Sequence, residues 1–263
     1  MKKIIYSIFA LSFVLFFVVS AFILTILWNY SPDLPGYEKI TNYKPNLSSR
    51  LYSSDGLLLK SFHKEERLYM PIERIPKQII QAFIAAEDKN FYNHFGVDFY
   101  AILRASFTNL INSNKNRKLI GASTITQQVV KNLLLSNEVS YERKIKEILL
   151  ALRIENILSK EEILELYLND IYLGKRSYGI ASASLNYFNK SLHDLDLDEI
   201  AFLASLPKAP NNYNPKTKYN AAIERRNWVL ERMYANKFIK LIDLNYKENP
   251  IKLFARNNLI FNE

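Results

Sequence analysis

Apolar and polar positions divide the chain into three regimes. Behind Met1-Lys2-Lys3, apolar residues run almost unbroken from Ile4 to Trp28. At 1.5 Å per residue such a run crosses a hydrocarbon core of about 30 Å with some tilt. The apolar region of a cleaved signal peptide is only about 7–15 residues long. The run therefore reads as a retained signal anchor, residues 1–29, with cleavage near Ser20-Ala21 as the alternative. Lysines precede the span, and Asp33, Glu38 and Lys39 beyond it are mixed in sign. The positive-inside rule then puts the N-terminus in the cytoplasm and residues 30–263 outside it. Trp28 and Tyr30 stand where an interfacial aromatic belt would be.

Residues 30–49 carry prolines and no helical period, which predicts a stalk. Asp55-Gly56 between apolar runs predicts a β-hairpin. From Ile75 onward the period is helical: Ile79, Ile80, Phe83 and Ile84 recur on one face, and Pro76 suits a first turn. Ser159-Lys160-Glu161-Glu162 is a capping-box pattern opening a helix, and Asp196-Leu197-Asp198-Glu199 is a second, with Pro207 stopping the helix that follows. Residues 219–235 form a further amphipathic stretch. The expected fold is mainly α, with a small β-hairpin element and an N-terminal transmembrane helix. One domain is expected over 50–240, and the tail 241–263 is unassigned.

Composition narrows the chemistry. The 263 residues include no cysteine, which removes disulfides, thiolate catalysis and cysteine zinc sites together. A net charge of +9 points to an anionic partner: nucleic acid, lipid headgroups or a phosphate-bearing substrate. The basic residues are scattered among helices rather than gathered in a tail, and the anchor argues against nucleic acid.

Five blocks stand in fixed order between Glu87 and Pro210. They are Glu87 to Gly96 (EDKNFYNHFG), Gly121 to Gln128 (GASTITQQ), Arg143 to Glu147 (RKIKE), Tyr167 to Gly174 (YLNDIYLG) and Ala201 to Pro210 (AFLASLPKAP). Taken singly, each has an ordinary reading. Glu87 ends an apolar helix as a solvated carboxylate would. Ser123 or Thr124 suits a helix cap. Arg143 and Glu147 make an i,i+4 pair on an exposed face. Together, and behind an anchor, the blocks resemble the peptidoglycan glycosyltransferase module, glycosyltransferase family 51.

The resemblance implies a lysozyme-like glycosyltransferase domain that polymerises lipid II into β-1,4-linked glycan and releases undecaprenyl pyrophosphate at the inner membrane. Lipid II and the growing strand are then the substrates, and other wall-synthesis proteins are candidate partners. It implies that Glu87 is the catalytic base and Glu147 the second essential carboxylate, which would orient the clamping cations or hold a metal. Ser123, Gln127 and Lys131 would line the donor site, Gln127 and Lys131 from one helix face at i,i+4. Arg143 and Lys146 would clamp the pyrophosphate. No cofactor is required; a divalent cation such as Mg²⁺ is left open, and no carboxylate cluster specifies a metal site. His94 is expected to order its loop, and the fourth and fifth blocks (Asn169, Tyr172, Gly174, Tyr178 and Gly179; Leu206, Pro207, Pro210 and Asn212) to pack behind the cleft. Residues 97–120 form an apolar stretch followed by Lys115, Arg117 and Lys118, which fits a helix lying in a membrane interface as well as a core helix. In the resembled family this stretch is a mobile jaw dipping into the bilayer.

One position departs from the family pattern: Val139 stands where an arginine is usual. A non-catalytic membrane scaffold is therefore kept as the rival, and a lytic enzyme as a weaker third. Ser61-Phe62-His63-Lys64 and Ser205-Leu206-Pro207-Lys208 match the SxxK spacing of penicillin-reactive serines, but both fall inside the resembled module and are expected to be chance, with no covalent β-lactam adduct. The sequence leaves open whether a further domain follows.

Overall fold

A computed structural model describes residues 2–32, 34–36, 40, 49–52, 58–62, 66–112, 121–136, 138 and 140–253. The first helix, α1 (Lys2–Tyr30), contains a 22-residue stretch, Phe9–Tyr30, long and apolar enough to cross a membrane. The described side chains of that stretch are not packed inside the protein. The predicted stalk is less detached than its prolines suggest: Ile40 is buried in the core, Leu34 packs against it, and Arg153 Nη2 donates to Ser31 Oγ at 2.6 Å.

The predicted hairpin forms from β1 (Ser49–Tyr52) and β2 (Leu58–Phe62), antiparallel, with Ser49 opposite Phe62 and a register shift between Leu51 and Tyr52. The Asp55-Gly56 turn lies outside the described residues. A second pairing joins β3 (Glu66–Arg67) to β4 (Ser177–Tyr178) in parallel. It brings Arg67 to Asp170 at 2.6 Å and over the Tyr178 ring.

The rest is helical: α2 (Lys77–Glu87), α3 (Phe99–Asn112), α4 (Ile125–Leu134), α5 (Tyr141–Ile154), α6 (Lys160–Asp170), α7 (Ile180–Phe188), α8 (Leu197–Ser205) and α9 (Tyr219–Ala235). Both predicted capping boxes are present, on Ser159 with Glu162 and on Asp196 with Glu199. α8 is buried along nearly its whole length and packs against α2 and α9, while α4 packs against α5 and α6. Ser205, one of the SxxK serines, is fully buried and donates to Phe202 O at 2.7 Å, so no ligand reaches its hydroxyl. The unassigned tail forms a 3-10 segment, Leu241–Glu248. Arg226, completely buried, holds the end of this segment through Asn249 O at 2.5 Å and Lys247 O at 2.7 Å.

The fourth block is structural, as expected. Asn169 accepts from Met70 N at 2.7 Å and donates to Met70 O at 2.8 Å, copying a strand pairing that docks segment 68–72 on α6. α3 differs from every other helix of the domain. Only Ala105 is buried, while Phe99, Tyr100, Leu103, Phe107, Leu110 and Ile111 are exposed. The core-helix reading of this stretch therefore fails. Lys115, Arg117 and Lys118 lie outside the described residues.

Gly96 ends the loop between α2 and α3 at φ +79°, and a Cβ there would stand 2.5 Å from Ala151 O. Both backbone conformation and close approach to α5 demand glycine. Gly96→Ala should cost about 2 kcal/mol or more, read as a lowered midpoint in denaturant unfolding followed by far-ultraviolet circular dichroism. An unchanged midpoint would contradict the packing described.

Candidate active site

The site begins where α2 ends. Ile79, Phe83 and Ile84 fix this helix against the core, so its last residue, Glu87, projects into a cleft lined also by Asp98, Arg104, Ser123, Trp228 and Arg232. Glu87 is half-buried, and its carboxylate accepts from Gln128 Nε2 at 3.0 Å. Burial raises its pKa above the ordinary 4.5, and the adjacent Asp88 adds a little. The Gln128 hydrogen bond and the charges of Arg225 and Lys208 pull the other way without cancelling the effect.

The neighbouring carboxylate has a different task. Asp88 is buried, and its Oδ2 accepts from Ile125 N at 3.0 Å and meets His94 Nε2 at 2.9 Å. It thereby ties the end of α2 to the start of α4 and to the aromatic loop. His94 orders the loop as expected, edge-on to Phe91. Lys160 reaches the same loop, donating to His94 O at 2.7 Å, lying over the Phe91 ring and pairing with Glu155 at 2.7 Å. Thr126 also donates to Glu155, at 2.6 Å.

α4 starts at Thr124, which bonds Gly96 O at 2.6 Å and forms a capping box with Gln127. This corrects one expectation. Gln127 does not share a ligand face with Lys131: it is fully buried, and its Oε1 accepts from Thr124 N at 2.9 Å. Gln128, one residue on, is the amide that reaches Glu87. Lys131 is partly exposed, with no side-chain partner among the described residues.

Ser140 caps α5 and sets its phase. Glu147, buried, receives Arg143 Nη1 at 3.3 Å and Lys144 Nζ; Lys144 also donates to Ser123 Oγ at 2.9 Å. The second correction follows. Lys146, expected in the clamp, pairs with Glu142 at 2.7 Å on an adjoining face, because i and i+1 positions do not face one another on a helix. Lys144, at i−3 from Glu147, is the lysine that reaches this carboxylate. Arg143 Nε is buried without a hydrogen-bond partner among the described residues. Val139 lies outside the described residues.

Two cations around one carboxylate suit an anion. Among the described residues no group of three or more His, Cys, Asp or Glu side chains could hold a metal ion. The amphipathic stretch predicted at 219–235 is α9, but sequence reading missed that it brings Arg225, Trp228 and Arg232 to the Glu87 cleft. Arg225 stands 138 positions beyond Glu87, and nothing local marks the juxtaposition.

The transglycosylase family profile matches residues 55–234, which include every block described. The chain is similar to penicillin-binding protein 1A of Rickettsia typhi, at 50% identity over 214 residues, 81% of this chain and 27% of that protein. Penicillin-binding protein 1A of Aquifex aeolicus is 43% identical over 239 residues, 91% of this chain and 32% of its own length. Among solved structures, penicillin-binding protein 1A from Haemophilus influenzae matches with a TM-score of 0.46 and 27% identity, over 81% of this chain and 22% of that one. The chain thus spans about a quarter to a third of the length of these curated relatives. With more than half of its residues matched by the family profile, it belongs to the transglycosylase family.

Proposed function

We propose that the chain is a peptidoglycan glycosyltransferase that polymerises lipid II on the outer face of the cytoplasmic membrane. The observation that carries the reading is the pairing of two unlike carboxylates: Glu87, dehydrated and held by one amide, and Glu147, buried between two cations. Glu87 takes the proton from the 4-hydroxyl of the incoming lipid II as that oxygen attacks the anomeric carbon of the lipid-linked strand, with inversion. Undecaprenyl pyrophosphate leaves into the positive charge of Lys131, Arg143 and Lys144, the last two held in place by Glu147. Ser123 fixes Lys144 from across the cleft. No step needs a metal ion. A scaffold would have no use for a dehydrated carboxylate at the end of α2, and the curated relatives named above are penicillin-binding proteins.

Membrane placement follows the same reading. α1 anchors the chain with its N-terminus in the cytoplasm, and the apolar face of α3 enters the interface where lipid-linked substrate arrives. Each exposed Leu or Phe on that face gains about 1.5–3 kcal/mol on leaving water.

Glu87→Gln should lower lipid II polymerisation to a few per cent of wild type or less, measured by gel separation of labelled glycan. It should also change stability. The folded state holds the Glu87 proton more tightly than the unfolded chain does, so the contribution of this group is full below about pH 4.5 and lost as pH rises through the folded value. The neutral amide avoids that loss. The variant should therefore melt higher at pH 8, by on the order of 2–4 °C, and match wild type near pH 4. An equal melting temperature at pH 8 would show that Glu87 is not dehydrated.

Lys144→Met should reduce turnover by about 10²–10³-fold, while Lys146→Met should stay within about threefold, a change of less than 1 kcal/mol. The reverse order in a steady-state assay would restore the original assignment of Lys146.

Protein lacking residues 1–28 should still bind anionic liposomes in flotation at low salt. Leu103→Glu with Phe107→Glu should weaken that binding at least about tenfold. Undiminished flotation would remove α3 from the interface.

A further inference from the structure

On the reading above, the cleft must admit a second sugar beside the lipid-linked strand, and α9 supplies a wall suited to one. Arg225, Trp228 and Arg232 fall at i, i+3 and i+7 and share one helix face. The Arg225 guanidinium lies 3.9 Å from the centre of the Trp228 ring and that of Arg232 lies 5.7 Å from it. This stacking steadies the indole. Trp228 nevertheless remains 36% exposed, and with Arg232 it borders the cleft that contains Glu87.

Both arginines are left wanting acceptors. Their Nε atoms are buried without a hydrogen-bond partner, and neither guanidinium forms an ion pair among the described residues. Of the exposed acids of α9, Glu231 pairs with Lys247, and Glu224 forms no ion pair with either arginine among the described residues. A buried donor with no acceptor is unfavourable until a ligand supplies one. The cleft carboxylate Asp98 is already engaged by Asn90 Nδ2 at 2.8 Å and Ala101 N at 2.8 Å. A fixed aromatic surface takes the apolar face of a pyranose, and a half-buried guanidinium takes a carboxylate.

We infer that Trp228 and Arg232 recognise the acceptor, the indole stacking on one of its sugar rings and Arg232 binding a carboxylate of its peptide substituent. The ligand class is a disaccharide carrying an acidic peptide, and Arg225 is a positioning residue that holds Trp228. This rests on the glycosyltransferase reading but is tested apart from turnover.

The chain has two tryptophans, Trp28 and Trp228, so Trp28→Phe leaves Trp228 as the sole indole. The probe is a soluble N-acetylglucosaminyl-N-acetylmuramoyl tripeptide without lipid or pyrophosphate, titrated against the full-length protein in detergent. Trp228 emission should change saturably. Arg232→Gln should weaken the binding about tenfold, Arg232→Lys less, and Glu87→Gln should leave it intact. In polymerisation, Trp228→Leu should raise KM for the acceptor while kcat stays within about threefold. No emission change at millimolar probe would overturn the inference, as would one that Arg232→Gln leaves unaltered. Equal binding of the same disaccharide without its peptide would overturn the carboxylate contact. Continued polymerisation by Glu87→Gln would instead defeat the parent reading and leave these binding results standing.

Discussion

The Asp88 carboxylate is the joint on which the cleft depends. It is buried beside Glu87, yet its Oδ2 is engaged twice, by Ile125 N at the start of α4 and by the ring of His94. A buried anion survives only when paired or hydrogen-bonded. The same two bonds therefore stabilise the charge and lock three segments: the end of α2, the aromatic loop and the N-terminus of α4. That N-terminus adds the favourable end of a helix dipole. Gly96 and Thr124 complete the lock, since the Thr124 hydroxyl bonds Gly96 O only when the loop passes close to α5. Gln128 then points at Glu87 as a consequence of where α4 begins.

Adjacent carboxylates thus receive opposite environments from one helix end. Asp88 is committed to structure. Glu87 has one amide and sits at the C-terminus of α2, where the dipole disfavours an anion. This division explains why an acidic pair, rather than a lone glutamate, stands at the end of α2.

Much of this was legible in the chain, and the errors were mostly local. The helical period, both capping boxes and the hairpin follow from sequence rules that tertiary packing did not override. Gln127 was placed in the donor site from the resemblance, supported by its i,i+4 spacing to Lys131, and the Thr124-x-x-Gln127 capping pattern was not weighed. That pattern turns Gln127 inward. Lys146 was placed in the clamp from the resemblance of the RKIKE block, without weighing helical phase, which turns it toward Glu142. The partial docking of the stalk and the contribution of α9 were of another kind. Ile40 gives no local sign of being buried, and Arg225, Trp228 and Arg232 look like any amphipathic face until α9 is seen packed on α2. Long-range juxtaposition was the illegible part.

The cations around the cleft must do two things that pull against each other. A base dehydrated enough to be strong risks remaining protonated, and cations near enough to stabilise a leaving phosphate weaken that base. The arrangement separates these demands in space. Arg143 and Lys144 are engaged by Glu147, so part of their field is already balanced before a phosphate arrives. Arg225 and Lys208, on the other elements, act on Glu87 and offset some of the effect of burial. Arg225 in turn is itself poorly solvated, which makes its charge less favourable and its coupling to Glu87 stronger than in water. On the proposed mechanism, Glu147 then matters less as a contact than as a counter-charge. Without it, two more cations would act on the cleft, and the carboxylate that must accept a proton would become a weaker base.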